Sequence, residues 1–160
     1  MYIIFFELGI KINKKGGILT FITPSKYLSA EYATALRKYF LDNVSIDRIT
    51  DFSTVKVFES AGVSTVITQL SKTSQKDFLE CRIYQNTTDI SFKQKYGKDI
   101  LFMCPNNIWS CLINQNVKLF RKLAEKSEIL ADWADVNACS TAAEAEVFEN
   151  SLVKIGRAHV

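Results

Sequence analysis

Lys14-Lys15-Gly16-Gly17-Ile18-Leu19-Thr20-Phe21-Ile22-Thr23-Pro24-Ser25-Lys26-Tyr27-Leu28 decides how this chain folds. A glycine turn leads into a short apolar run, a proline stops the run, and the chain then opens into a helix. Strands of a parallel sheet are buried on both faces, so they are written as unbroken hydrophobic runs. Ile18–Ile22 is therefore expected to be a buried parallel strand at the centre of an α/β sheet.

Upstream, Tyr2, Phe5, Phe6, Gly9 and Ile10 share one helical face, and Ile4, Leu8 and Ile12 form a second row. A helix apolar on two sides is one covered by a sheet and by neighbouring helices. It opens at residue 1 without a cap, which reads as a cut edge. Lys14 and Lys15 suit its C-terminal end, and Gly16 stops it.

Downstream, Ser29 reads as an N-cap with Glu31 in the first turn. Ala33, Leu36, Tyr39 and Phe40 then line a helix that ends near Asn43, and a strand follows over Ile46–Phe52. Strand, helix, strand in this order is a right-handed crossover unit. Val63–Leu70 is rich in β-branched residues; with no helix before it, this strand is expected to pair antiparallel with Ile46–Phe52. Leu79, Cys81 and Ile83 alternate with Glu80, Arg82 and Tyr84, a half-buried strand. Residues 86–113 are weakly periodic, with a short strand expected near Ile100–Met103. Asn116 is placed to cap a helix carrying Leu119, Phe120 and Leu123, and Thr141-Ala142-Ala143-Glu144 is a capping box.

Composition narrows the class. Of 160 residues 48% are hydrophobic, enough for a core, and the few glycines and prolines argue against disorder. A net charge of +3 permits nucleic-acid contact without demanding it. Cys81, Cys104, Cys111 and Cys139 lack the short spacings of zinc or redox motifs and read as free buried thiols in a reducing cytoplasm. No run is long enough for a membrane span. The last six residues, Ile155-Gly156-Arg157-Ala158-His159-Val160, read as a translated sequencing adaptor. Setting them aside removes His159, the only histidine, and with it imidazole chemistry for this piece.

The stretch from Gly16 to Leu28, with Phe5-Phe6-Glu7-Leu8-Gly9 before it and Ile49-Thr50-Asp51-Phe52, Val57-Phe58-Glu59 and Ser64-Thr65-Val66-Ile67 after it, resembles the TaqI-like adenine-specific DNA methyltransferases. These include the fused restriction–modification enzymes. The likeness covers about residues 2–70; Leu130–Phe148 resembles, less specifically, the start of their target-recognition region. The resemblance implies the C-terminal half of a class-I, Rossmann-like methyltransferase sheet, in which a late antiparallel strand closes a parallel sheet. It implies a core half over 1–72, a connector over 73–128, the start of target recognition over 129–154, and the adaptor tail over 155–160.

Function follows on the same footing. The resemblance implies methyl transfer from S-adenosylmethionine to the exocyclic amine of an adenine flipped out of double-stranded DNA, with a nuclease domain or subunit in the parent system. By position Phe58 matches the aromatic that stacks on the flipped base, a contact worth about 1–3 kcal/mol. Read from the residues alone, Phe58 is either the wall of a base-sized slot or an ordinary core ring. Lys26 and Lys56 are either phosphate contacts or solvated side chains. The chain has no Asp/Asn-Pro-Pro-Tyr loop and no glycine-rich turn after a strand, since Gly16-Gly17 precedes one. Catalytic, cofactor-binding and metal residues are thus expected to lie elsewhere in the parent, and the chain alone is expected to be inactive. Two alternatives stay open: a non-catalytic α/β DNA-binding or interaction module, and a class-I methyltransferase acting on RNA or protein.

Overall fold

A computed structural model describes residues 2–55, 57, 63–103, 107–128 and 130–134. The chain divides into two compact units, Met1–Lys126 and Ser127–Val160. In the second, the described residues include a single 3₁₀ turn, Leu130–Asp132. The capping box at 141–144 and the tail lie outside the described residues.

The first unit runs α1 (Tyr2–Ile12), β1 (Ile18–Pro24), α2 (Thr34–Asn43), β2 (Ser45–Asp51), β3 (Thr65–Ser71), β4 (Phe78–Tyr84), β5 (Ile90–Gly97) and α3 (Val117–Lys126). Five strands form one mixed sheet in the order β1-β3-β2-β4-β5. Both β1 and β2 pair antiparallel with β3, so they run in the same direction with β3 inserted between them. The expected antiparallel pairing of the second and third strands is what the sheet contains. β4 then adds parallel to β2, and β5 antiparallel to β4. Two strands running the same way, β1 and β2, with a later antiparallel strand, β3, between them match the layout expected for the back half of a class-I methyltransferase sheet; β4 and the antiparallel β5 extend it.

One face of the sheet is covered. Phe6 of α1 meets Phe21 of β1 edge-on at 5.1 Å and Phe40 of α2 at 5.0 Å, and Phe40 stacks on Trp109 at 6.4 Å. Such ring pairs contribute about 0.5–1.5 kcal/mol each beyond the area they bury. Gly9 lets α1 close on the strand: a methyl group there would stand 3.0 Å from the Leu19 side chain. Ile46, Ile49, Val66, Leu70, Leu79 and Cys81 complete the core. Cys81 and Cys111 are buried, and burial pushes the Cys81 thiol up to about 12.

Several expectations are corrected. β1 lies at the edge of the described sheet and pairs antiparallel; Ile18 is 63% and Ile22 44% exposed, so its continuous apolar run does not mark a strand covered on both sides. Phe5 joins Ile4, Leu8 and Ile12 on an exposed side of α1, where only Phe6, Gly9 and Ile10 are buried. Ser29 does not cap α2; two 3₁₀ turns, Ser25–Leu28 and Glu31–Ala33, come first, and the helix starts at Thr34. The strand expected near Ile100–Met103 is a 3₁₀ turn over Lys98–Phe102, and the strand of that region is β5. Asn116 starts α3 through its carbonyl, which accepts from the Leu119 and Phe120 amides.

Candidate functional site

Pro24 ends β1, and its fixed φ of −56° starts the turn that carries the next residues away from the sheet. Tyr27 and Leu28 drop from this turn into the core, where the Tyr27 hydroxyl bonds to Thr68 Oγ1. Burial raises the Tyr27 phenol pKa, so the group stays neutral. The buried Arg37 guanidinium locks the turn from below: Nη1 donates to Tyr27 O at 2.7 Å and Ala30 O at 2.9 Å, and Nη2 to Thr34 Oγ1 at 3.0 Å. A buried cation is tolerated here because carbonyl oxygens replace its water.

Two further segments are tied to that turn through backbone bonds. The Ser25 amide donates to Ser64 O at 2.9 Å, which holds the start of β3 beside it. The Trp109 amide donates to Leu28 O at 2.7 Å and its indole to Leu101 O at 2.9 Å, which brings up the turn Ser110–Ile113. Between the three segments lies a cleft of about 420 Å³ at the carboxyl end of β1. Crevices at the carboxyl ends of strands are where open α/β sheets bind ligands, and this volume is within the range of small-ligand sites.

The lining is specific in kind. Ser25, Ser29, Ser64 and Ser110 supply hydroxyls, Lys26 an ammonium, and Leu28, Val63 and Ile113 apolar surface. Among the described residues none of the four hydroxyls bonds to another protein group. Two more hydroxyls, on buried Thr23 and Thr65, also have no partner; Thr65 follows Ser64 directly and Thr23 stands two residues before Ser25. The donors and the cation suit an anionic oxygen, and the apolar surface suits a flat ring. Nearby, at the ends of β2 and β4, Phe52 stacks on Tyr84 at 4.5 Å. Burial raises the Asp51 carboxyl pKa, and bonds from the Ser53 amide at 3.1 Å and hydroxyl at 2.5 Å oppose the rise.

Of the site residues expected from sequence, Lys26 is exposed and lines the cleft. Lys56 and Phe58 lie outside the described residues. The serine lining is not evident from sequence: Ser29 reads as a helix cap, and Ser64 and Ser110 stand 39 and 85 positions from Ser25. Only the Ser-Lys-x-x-Ser spacing after Pro24 carries a local signal.

Residues 1–58 match the Eco57I restriction-modification methylase family. The chain is 29% identical over 77 residues to the Type II restriction enzyme and methyltransferase RM.Eco57I of Escherichia coli, covering 48% of this chain and 8% of that protein. It is 38% identical over 66 residues to the Type II methyltransferase M.HincII of Haemophilus influenzae, covering 41% of this chain and 13% of that protein. The chain therefore spans about a tenth of the length of these relatives. Among solved structures, the type IIG restriction endonuclease BpuSI shares the fold, with a TM-score of 0.56 and 16% identity over 73% of this chain and 16% of that chain.

The Gly16-Gly17 turn is not built to receive a methyl donor. The Gly16 amide is engaged by Lys72 O at 2.8 Å and the Gly17 amide by Lys14 O at 2.9 Å. These glycines serve the turn between α1 and β1 and offer a cofactor no free backbone donor. S-adenosylmethionine thus finds no seat in this turn.

Proposed function

We propose that this chain is part of a site-specific DNA adenine-N6 methyltransferase of a restriction–modification system. The methylase match over residues 1–58, set in a sheet with β3 inserted between β1 and β2, carries this reading. In the parent enzyme, the S-adenosylmethionine site and the catalytic loop come from other parts of the polypeptide, and a nuclease domain or subunit accompanies it in the cytoplasm. Residues 1–72 serve as the rear of the methyltransferase core, 73–128 as a connector and 129–154 as the start of target recognition.

Within this reading the cleft at the end of β1 receives the DNA. Phe58 stacks on the flipped adenine, Lys26 and Lys56 hold phosphates, and the serine hydroxyls donate to the same backbone. Exposed apolar side chains support a place inside a larger assembly: Ile4, Phe5, Leu8 and Ile12 on α1, and Ile18 and Ile22 on β1. Exposed apolar rows of this kind are what a further protein layer covers.

Binding to a duplex with one unpaired adenine, compared with the same duplex fully paired, tests the reading. The chain should prefer the unpaired adenine, and Phe58→Ala should abolish the preference. Equal affinity for both duplexes, or a preference that survives Phe58→Ala, overturns the stacking role. Tight binding of S-adenosylmethionine in a calorimetric titration would overturn the claim that the chain alone is inactive.

A further inference from the structure

We infer that the charged face of the sheet, built by β2, β4 and β5, is a seat for the phosphate backbone of duplex DNA. This inference rests on the reading above and adds a surface that the reading does not require. Strand register sets Gln69, Arg48, Glu80 and Lys95 in one row across four strands. Two residues along, Thr50, Arg82 and Lys93 form a second row. Side chains alternate across a strand, so both rows lie on the face opposite Cys81 and the core.

Glu80 is the hub. Arg48 Nε stands 2.7 Å from it, Arg82 Nη2 2.6 Å and Lys93 Nζ 3.7 Å, while Lys76 pairs with Asp47 at 2.7 Å. Arg48, Lys76, Arg82, Lys93 and Lys95 thus meet only Asp47 and Glu80. Five cations against two carboxylates leave a local surplus of three. Along the first row, on the side away from the second, lies an open groove of about 300 Å³, with Phe78 exposed in its lining.

A polyanion suits this face better than a protein partner does. Protein interfaces are organised around a dry apolar centre, whereas Phe78 is the only apolar side chain lining the groove among the described residues. Closely spaced cations with one flat ring are the footprint of a nucleic-acid backbone. Three strand spacings separate β4 from β1 and its cleft, about 14 Å at about 4.8 Å each. One duplex turn is about 34 Å long, so a single duplex reaches both.

Fluorescence anisotropy of this chain with a labelled duplex of arbitrary sequence, repeated over a series of salt concentrations, tests the inference. Lys93→Gln with Lys95→Gln should weaken binding several-fold and flatten the slope of log K against log salt by about 1.8, or about 0.9 per lost phosphate contact. Lys118→Gln with Lys122→Gln removes the same charge from α3 and should flatten it less. Glu80→Gln frees three cations and should bind DNA more tightly, a gain that a purely structural role does not produce. All four lysines are exposed, so the lysine variants keep the fold and decide the matter even where Glu80→Gln does not. An unchanged slope in the Lys93/Lys95 variant overturns the inference and leaves the face to an acidic polypeptide; an equal effect of the α3 pair overturns it as generic charge. Preference for unpaired adenine without a lysine-dependent slope removes this face and keeps the methyltransferase reading. The reverse result keeps the face as a DNA seat and removes that reading.

Discussion

At the β1 end of the sheet, Ile4, Leu8 and Ile12 of α1 and Ile18 and Ile22 of β1 leave apolar side chains in water. At the β5 end, Lys93 and Lys95 line the edge strand, next to Glu80 and Arg82. Lysines along an edge strand discourage another strand from pairing there, whereas exposed apolar rows are what a further protein layer covers. One sheet therefore has an outer boundary built for water and polyanions and an opposite end built for burial. The middle is settled in either case: Phe6, Phe40, Tyr27 and Trp109 form one ring cluster beneath β1 and β2.

Breaking the middle should have the largest effect. Phe40→Ala should cost about 3–5 kcal/mol in urea unfolding, because a fully buried ring leaves a cavity. A loss below about 1 kcal/mol would mean that the two ends do not share this core. Arg37→Met comes next: it strips a donor from Ala30 O, which keeps the Ala33 amide, and the donor from the buried Tyr27 O, whose loss costs about 1–3 kcal/mol. It should also perturb the amide shifts of residues 25–30, which form the cleft.

Titration sharpens the contrast at the charged end. Desolvation pulls the Lys98 ammonium down to about 8; Lys76 adds to the shift and Asp47 opposes it. The unfolded chain then binds more protons than the folded one from about pH 8 up to the ordinary lysine value. Stability relative to Lys98→Met should therefore rise with pH across that window. Glu80 shifts in the same direction and its contribution also grows with pH, but as a stabilisation gained and not a cost relieved, because its charged form is the one the fold favours. Burial would raise its carboxyl, but the Arg48 hydrogen bond and the Arg82 and Arg48 charges hold it below the ordinary value. Its stabilising share is present above the ordinary carboxylate range and should be lost as pH falls through the lowered value, a loss absent in Glu80→Gln. The smallest effect belongs to the apolar end. Ile4→Ser, Leu8→Ser and Ile12→Ser should each change stability by no more than about 0.5 kcal/mol, yet together reduce binding of a hydrophobic dye. A large loss of stability would show those rows to be packed.

Much of the architecture is legible in the residues. The alternation of Leu79, Cys81 and Ile83 marks β4, the β-branched run before Leu70 marks β3, and the absence of a helical pattern between residues 52 and 63 predicts the antiparallel turn. β5 is not legible, because Ser91-Phe92-Lys93-Gln94-Lys95 has little apolar content on either face of an edge strand. Nor is the covering of β1, because a hydrophobic run states only that a strand is apolar and not which neighbours cover it. The serine cleft is invisible in the sequence because its hydroxyls come from three separate segments.

Local chemistry settles what local chemistry can. Gly16 takes a φ of +78° that suits glycine, Pro24 stops β1, and residue spacing gives each element its apolar side. Strand order and exposure are decided only in three dimensions. Arg48 and Glu80 stand 32 positions apart, and no propensity says that β4 will settle beside β2 and put them 2.7 Å from each other. That choice belongs to competition among strand edges for hydrogen bonds and for the one covered face, and it is made by the whole chain at once.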